Sequence, residues 1–247
     1  MTTEKNEMNN ETFVEDSELE EGDYVNNVFE DRPGTGFVGL KPKYIKAMRQ
    51  IEDAWVQILN ALHDSYGLDI TDPNFHETPK RISRMMVLER CNGINSENLC
   101  RKILGKSFPA MGEREDDQLV VTTNPAIVYS LCPHHFENVE YHIWTGYIPK
   151  EKFIGISKFS RIVDLYARQP KLQESLTSGL VDIIQEELDP KGSIVIVKGW
   201  HDCMICRGAR SNPKQCMITS AMRGLFSSPG QHTFKEEFMQ LCKQTGL

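Results

Sequence analysis

The sequence predicts an α+β fold, in which an antiparallel sheet carries helices on one face and is preceded by N-terminal helices. Three observations predict it. Apolar residues recur at helical spacing near the N-terminus, β-branched residues then cluster in short segments, and two helix-spaced stretches separate these from further β-branched runs. Groups of strands and groups of helices in this order are typical of a sheet whose helices lie on one side.

The N-terminal half of the pattern is helical. The spacing predicts a helix over 44–66, closed by Gly67, and a shorter helix that begins at Thr78 with Pro79 in its first turn. The remaining predicted elements are strands at 118–122, 126–131 and 141–148, helices from Ser157 to Tyr166 and over 172–188, strands at 193–198 and 216–221, and a last helix around 234–241.

Charge and composition exclude two classes of partner. The chain has 247 residues, with 28 Lys plus Arg against 35 Asp plus Glu, so its net charge of −7 argues against binding nucleic acid through overall charge. No apolar run approaches the roughly 18 residues that span a bilayer, and the first residues form no signal or import sequence. We therefore expect a cytoplasmic protein with no membrane contact, whose seven cysteines are thiols.

The acidic charge is concentrated at the N-terminus. Residues 1–33 hold 11 acidic side chains against Lys5 and Arg32, and so few apolar residues cannot offset the entropy of ordering them. We expect 1–36 to be a disordered acidic tail that aids solubility, or alternatively one that binds a regulatory partner. An N-terminal helical region, 37–110, and an α+β domain, 111–247, would follow.

Two clusters of thiols and imidazoles could form a metal site. Cys132-Pro133-His134-His135 follows a predicted strand, and His201, Cys203 and Cys206 follow another. Zinc accepts thiolate and imidazole ligands, and three protein ligands leave a position for water. The pair Cys203 and Cys206 could instead form half of a structural zinc site or a redox pair, and a single buried cysteine is usually a small apolar residue.

A basic helix face suggests an anion site. Lys158, Arg161 and Arg168 recur at helical spacing after Ser157, and Arg207 follows the second thiol cluster. Such faces are more often merely solvated, but a helix N-terminus also offers N–H groups to a polyphosphate. The next helix opens with Gln173-Glu174. A carboxylate there usually serves the helix dipole, although it could also accept two hydrogen bonds from guanine.

Six motifs in order resemble the GTP cyclohydrolase I family, over about residues 42–243. They are HETPKR at 76–81, SLCPHH at 130–135, GISKFSRIV at 155–163, LQESLT at 172–177, HDCMICRG at 201–208 and TSAMRGLF at 219–226. Each motif alone is a weak signal, but six at the family's spacing are specific.

The resemblance implies a tunnelling fold, a homodecamer with active sites between subunits, and a zinc ion. It implies that the domain 111–247 is catalytic and opens the imidazole ring of GTP at C8, releasing formate and giving 7,8-dihydroneopterin triphosphate, a step that can begin folate, tetrahydrobiopterin or deazaguanine routes. The implied zinc ligands are Cys132, His135 and Cys203, and the implied catalytic residues are His134 and His201. The implied substrate contacts are Ser157, Lys158, Arg161 and Arg207 for the triphosphate, and Gln173 and Glu174 for guanine.

One position departs from the family pattern. Pro133 stands where the family usually has Glu, so a carboxylate beside the metal ligands is missing and activity could be reduced. Two alternatives therefore accompany the cyclohydrolase hypothesis. One is a related tunnelling-fold enzyme that acts on a pterin or a deazaguanine, and the other is a catalytically silent homologue that still binds zinc.

Overall fold

The computed structural model describes residues 42–109, 120–121, 125–228 and 232–247. The predicted acidic tail, 1–36, lies outside the described residues, as does most of the predicted strand 118–122. Within the described part of the chain, no helix is both long enough and apolar enough to cross a membrane.

The described chain begins with helices, two of which match the helices predicted at 44–66 and from Thr78. These first elements are α1 (Pro42–Tyr66), a 3-10 turn (Pro73–Phe75), α2 (Thr78–Arg84), a π-helical turn (Met85–Arg90) that continues α2, and α3 (Glu97–Gly105). Gly67 closes α1 with a φ of 72°, and its N–H donates to the carbonyl of His63 at 2.8 Å. A left-handed residue at this position is the usual end of a helix, and glycine adopts it without strain.

Among the described residues, seven strands form two antiparallel sheets. They are β1 (Phe108–Pro109), β2 (Val120–Val121), β3 (Ala126–Leu131), β4 (Asn138–Ile148), β5 (Lys152–Phe153), β6 (Gly192–His201) and β7 (Met217–Gly224). β1 pairs with β5 alone. The larger sheet has the order β2-β4-β6-β7, and β3 also pairs with β4. β4 and β6 are therefore the central strands, and they pair from Val139↔His201 to Ile148↔Gly192.

The remaining helices cover both faces of the larger sheet. They are α4 (Ile156–Ala167), α5 (Gln173–Leu188), the short α6 (Asp202–Ile205) and α7 (His232–Lys243). On one face, Tyr141 and Ile143 of β4 share a buried cluster with Ile162 of α4 and Leu180 of α5. The α+β class is therefore confirmed, and α4 and α5 pack on one face of the antiparallel sheet as predicted.

The C-terminal helix adds a smaller layer to the opposite face. Trp144 and Ile148 of β4 lie there in a second buried cluster with Phe238 of α7, and the indole N–H of Trp144 donates to Thr245 at 3.2 Å. The sequence predicted this helix but not the face that it covers. In β4, residues 143–148 are all buried. A strand that is covered on both faces does not alternate between buried and exposed side chains.

Candidate metal and substrate site

The pairing of β4 with β6 brings the two thiol clusters together. Cys132 follows β3, and Cys203 lies in α6 directly after β6. Their sulphur atoms are 3.6 Å apart, with Cys203 as the donor. Together with His201, they form a group of three residues whose candidate ligand atoms all lie within 4.8 Å of one another. The predicted meeting of the two clusters therefore occurs.

A tight turn positions the histidines of the first cluster. The N–H of Cys132 donates to the carbonyl of Glu137, and the N–H of Phe136 donates to the carbonyl of Cys132, both at 2.9 Å. Phe136 closes the turn with a φ of 55°. His134 Nδ1 lies 3.6 Å from the Cys132 sulphur. His135 is exposed, its ring centroid is 6.5 Å from that of His134, and it is outside the group of close ligand atoms.

His201 is held by a buried glutamine. Its Nε2 lies 2.9 Å from Gln173 Oε1. Burial is the main cause that lowers the pKa of His201, and the nearby charge of His134 lowers it further, while Glu174 and Asp202 oppose the shift. His201 is therefore a neutral imidazole at neutral pH, able to accept a proton.

Gln173 also joins three elements. Its side chain is 2% exposed, and Nε2 lies within hydrogen-bond distance of the carbonyls of Val197 and Met217 and of Thr219 Oγ1, at 3.0 to 3.1 Å. Both ends of the amide are engaged, so α5 is fixed against β6 and β7 while His201 is oriented. The prediction that Gln173 contacts guanine stays a prediction.

The thiol pair lies in a partly buried setting. Burial, together with the hydrogen bond and charge of Cys132, raises the pKa of Cys203 to about 11, and the charge of Arg207 partly opposes this shift. Cys206 is exposed and lies outside the group of close ligand atoms found among the described residues. The geometry therefore gives no support to a CxxC metal or redox site.

A cavity of about 270 Å³ lies beside His201. The strand residues that line it are Gly199, His201 and Met217, and the following segments contribute Met204, Ile205, Ser211, Gln215 and Cys216. Of these residues, His201 was predicted from sequence as a site residue. Met204 and Ile205 belong to the HDCMICRG motif, but their apolar side chains indicate no chemistry, and the others lie outside the six motifs.

The predicted substrate-binding residues are spread over α4, α5 and the segment after α6. Ser157, Lys158 and Arg161 lie at the start of α4, where Lys158 donates to the carbonyl of Lys106 and sits 5.7 Å from the centre of the Phe108 ring. Arg161, Glu174 and Arg207 have exposed side chains. Arg168 instead forms an ion pair with Asp164 of α4 at 2.7 Å, so its charge contributes to the fold rather than to an anion site.

Comparison with known proteins decides the family. A family model described as GTP cyclohydrolase I matches residues 51–243. The chain belongs to the GTP cyclohydrolase I family. A GTP cyclohydrolase 1 from Wolinella succinogenes is 34% identical over 186 residues, which cover 75% of this chain and 94% of that protein. One from Thermobifida fusca is 36% identical over 200 residues, which cover 80% of this chain and 90% of that protein.

The comparison with solved structures is more distant. The apo crystal structure of an archaeosine synthase QueF-like protein matches with a TM-score of 0.36 and 21% identity, over 44% of this chain and 96% of that chain. The family model and the two relatives, independently of this structure, confirm the resemblance that the six motifs predicted.

Two further residues of this GTP cyclohydrolase I family member adjoin the site and were missed from sequence. A Cβ on Gly199 would collide with Gln173 Oε1 and would lie 2.9 Å from a ring carbon of Tyr141. The signal for Gly199 was a glycine inside a β-branched strand, which often marks a close approach. Tyr141 is 1% exposed and packs its ring edgewise against His201, with the centroids 6.0 Å apart.

Proposed function

We propose that this chain is a zinc-dependent GTP cyclohydrolase I that hydrolyses GTP at guanine C8, releases formate and forms 7,8-dihydroneopterin triphosphate. Family membership supports the reaction. The observation that supports a zinc ion is the 3.6 Å separation of the Cys132 and Cys203 sulphurs. A tetrahedral zinc ion with Zn–S bonds of about 2.3 Å separates two thiolates by about 3.8 Å, so the pair fits that ion with little movement.

The donor set suits zinc rather than a harder ion. Two thiols and neighbouring imidazoles are ligands that zinc prefers, whereas Mg²⁺ and Ca²⁺ prefer oxygen. We assign Cys132, Cys203 and His135 as the ligands. His135 is carried over from the family motif, while the positions of the side chains favour His201 as the third ligand. Zinc bound here would lower the pKa of a water molecule and so supply hydroxide near neutral pH.

The two other histidines would carry protons. C8 of guanine becomes electrophilic as N7 takes a proton, and His201 and His134 are the groups beside the thiol pair that can give and remove it. The hydrogen bond to Gln173 Oε1 fixes which way the His201 ring faces. Nε2 of His201 then carries the hydrogen that is donated to Gln173. Nδ1 has the free lone pair, so it is the atom that would accept and return a proton.

The charged residues around the site would bind the substrate. Lys158, Arg161 and Arg207 would hold the triphosphate, with Ser157 at the N-terminus of α4. Glu174 would accept the N1 and 2-amino hydrogens of guanine, with Gln173 beside it. Adenine lacks the 2-amino donor and presents an acceptor at N1, so a desolvated carboxylate would lose its partners.

The exposure of several of these residues supports a site shared between subunits. Arg161, Glu174 and Arg207 are exposed on the single chain. A homo-oligomer, in the family a decamer, would bring a second chain against them and exclude water. The proposal includes a cytoplasmic enzyme that begins a pterin or tetrahydrofolate route and so contributes to one-carbon metabolism.

Single substitutions test the ligand assignment. We expect His135→Ala and Cys203→Ala to lose bound zinc, and His201→Ala to retain about one zinc per chain while losing formate release. Zinc per chain is measured by elemental analysis of protein purified with zinc. Cys206→Ala is the matched control, because this thiol is exposed and three residues from Cys203, and it should keep both zinc and activity.

Two outcomes would change the account. Zinc lost from His201→Ala but kept by His135→Ala would make His201 the third ligand and remove its assigned proton transfer. Zinc kept by the wild type without formate release would favour the catalytically silent homologue.

A further inference from the structure

Two residues of one short segment hold the ammonium group of Lys158. Its Nζ donates a hydrogen bond to the carbonyl of Lys106 and lies 5.7 Å from the ring centre of Phe108. A cation within about 6 Å of an aromatic ring centre is attracted by the negative face of the ring. Lys158 is partly buried, so water weakens this attraction less than it would at a fully exposed site.

The small two-stranded sheet places the Phe108 ring beside the start of α4. Phe108 in β1 pairs with Phe153 in β5, and Gly155, the residue before α4, follows two positions later. A Cβ built on Gly155 would lie 3.8 Å from a carbon of the Phe108 ring. The ring therefore lies against the start of α4 and beneath the Lys158 ammonium, which brings that charge close to the N-terminus of the helix.

This position of the ammonium group suits the binding of a polyphosphate. The N–H groups at the start of a helix and a lysine side chain both attract phosphate oxygens. A lysine side chain that is held beforehand loses less rotamer entropy when a ligand immobilises it. The ring attracts the charge without using an N–H group, and the carbonyl of Lys106 takes one of three, so the others can meet phosphate oxygens.

We propose that Phe108 is a positioning residue for the substrate, whose ring holds the Lys158 ammonium where the triphosphate of GTP binds. This inference rests on the proposed function, which assigns Lys158 to the triphosphate. Phe108 lies outside the six motifs, so no family pattern selects it. The phosphates are remote from C8 and are bound equally before and during the reaction. Phe108 therefore affects KM for GTP rather than kcat.

Phe108→Leu tests the proposal in the full chain, because it keeps an apolar side chain and removes the ring. We expect the Kd of inorganic tripolyphosphate, measured by calorimetry, and KM for GTP both to rise about two- to fivefold. The value of kcat should stay at that of the wild type. Phe108→Tyr keeps the ring face and should restore both binding constants. Guanosine, which has no phosphate, should inhibit all three proteins equally.

A double-mutant cycle shows whether Phe108 acts through Lys158. Lys158→Met alone should weaken the binding of tripolyphosphate, and adding Phe108→Leu to it should weaken binding no further. Tyr129→Leu is the matched control. Tyr129 in β3 is also an exposed ring with a cation over it, since the central guanidinium carbon of Arg90 lies 5.7 Å from its ring centre. Its loss should leave tripolyphosphate binding and KM unchanged.

Three outcomes would overturn the inference. Equal tripolyphosphate affinities of Phe108→Leu and the wild type would remove the positioning role. An undiminished effect of Phe108→Leu in the Lys158→Met background would assign that effect to packing. Weaker inhibition of Phe108→Leu by guanosine would show a general disturbance of the site. A wild type that neither binds tripolyphosphate nor converts GTP would instead overturn the proposed function, a failure that is visible without any variant.

Discussion

Cys132 and Cys203 lie on different elements, yet their sulphur atoms approach to 3.6 Å, and this contact defines the centre of the site. Because burial and the neighbouring Cys132 raise the pKa of Cys203 to about 11, this thiol keeps its proton at neutral pH. A metal ion that binds here must displace that proton. The residues around the pair therefore affect metal binding through charge and hydrogen bonding as much as through direct ligation.

Pro133 is the residue of the turn that departs from the family pattern. It is partly buried, and the turn that contains it is closed by hydrogen bonds between Cys132 and the pair Phe136 and Glu137. We expect Pro133→Glu to leave zinc at about one per chain and to change the rate of formate release only a few-fold. Elemental analysis and steady-state kinetics measure both quantities. Loss of zinc from this variant would contradict the proposal that this turn holds the zinc ligands Cys132 and His135 in place.

At the scale of elements, Gln173 couples helix α5 to strands β6 and β7. We expect Gln173→Leu to lower the free energy of unfolding by about 1 to 3 kcal/mol, because the carbonyls of Val197 and Met217 lose a buried donor. We also expect kcat to fall, since His201 loses the group that orients it. Urea denaturation and GTP turnover measure the two effects.

Gln185→Leu separates these two effects. Gln185 lies on the same helix and bonds the carbonyl of Pro190 and the hydroxyl of Ser193, at 3.0 and 2.8 Å. This variant should lose comparable stability and keep the wild-type kcat. An equal loss of kcat in both variants would mean that activity follows general stability rather than the orientation of His201.

The elements themselves were largely predictable from local pattern. Helix α1, strand β3 and helix α5 follow the spacing of apolar residues within a residue or two, because each buries one stripe or face. The position of α7 over Trp144 was not predicted, because the absence of period-2 alternation indicates a strand buried on both faces but does not show which element covers the second face. The register of β4 and β6, which joins the two thiol clusters, depends on pairing between distant segments and leaves no local signal.

The candidate site was predictable where chemistry concentrates in a motif. The cysteines and histidines at 132–135 and 201–203 were selected from sequence because thiols and imidazoles rarely cluster without a metal. Tyr141 was not selected, because an aromatic residue in an apolar strand is ordinarily part of the core. What distinguishes it in the described structure is a buried hydroxyl without a hydrogen-bond partner, on a ring that packs against His201.

At the scale of the whole molecule, the site occupies one end of the central strand pair. β6 ends at His201, β4 begins next to it at Asn138, and the turn at 132–137 closes the same end. The pairing of β4 with β6 therefore brings the thiols together, whereas Arg161, Glu174 and Arg207 are exposed on the single chain. We propose that metal binding belongs to the single chain and that substrate binding requires an assembled oligomer.

We propose that this family member opens the ring of GTP with a zinc ion held by the thiol pair. The most direct measurement incubates the purified full chain with GTP before and after zinc removal by a chelator, and follows formate together with pterin fluorescence after oxidation. We predict both products from the untreated protein, loss of both after chelation, and recovery on adding zinc but not magnesium. Neither product from protein that holds one zinc per chain would contradict the claim.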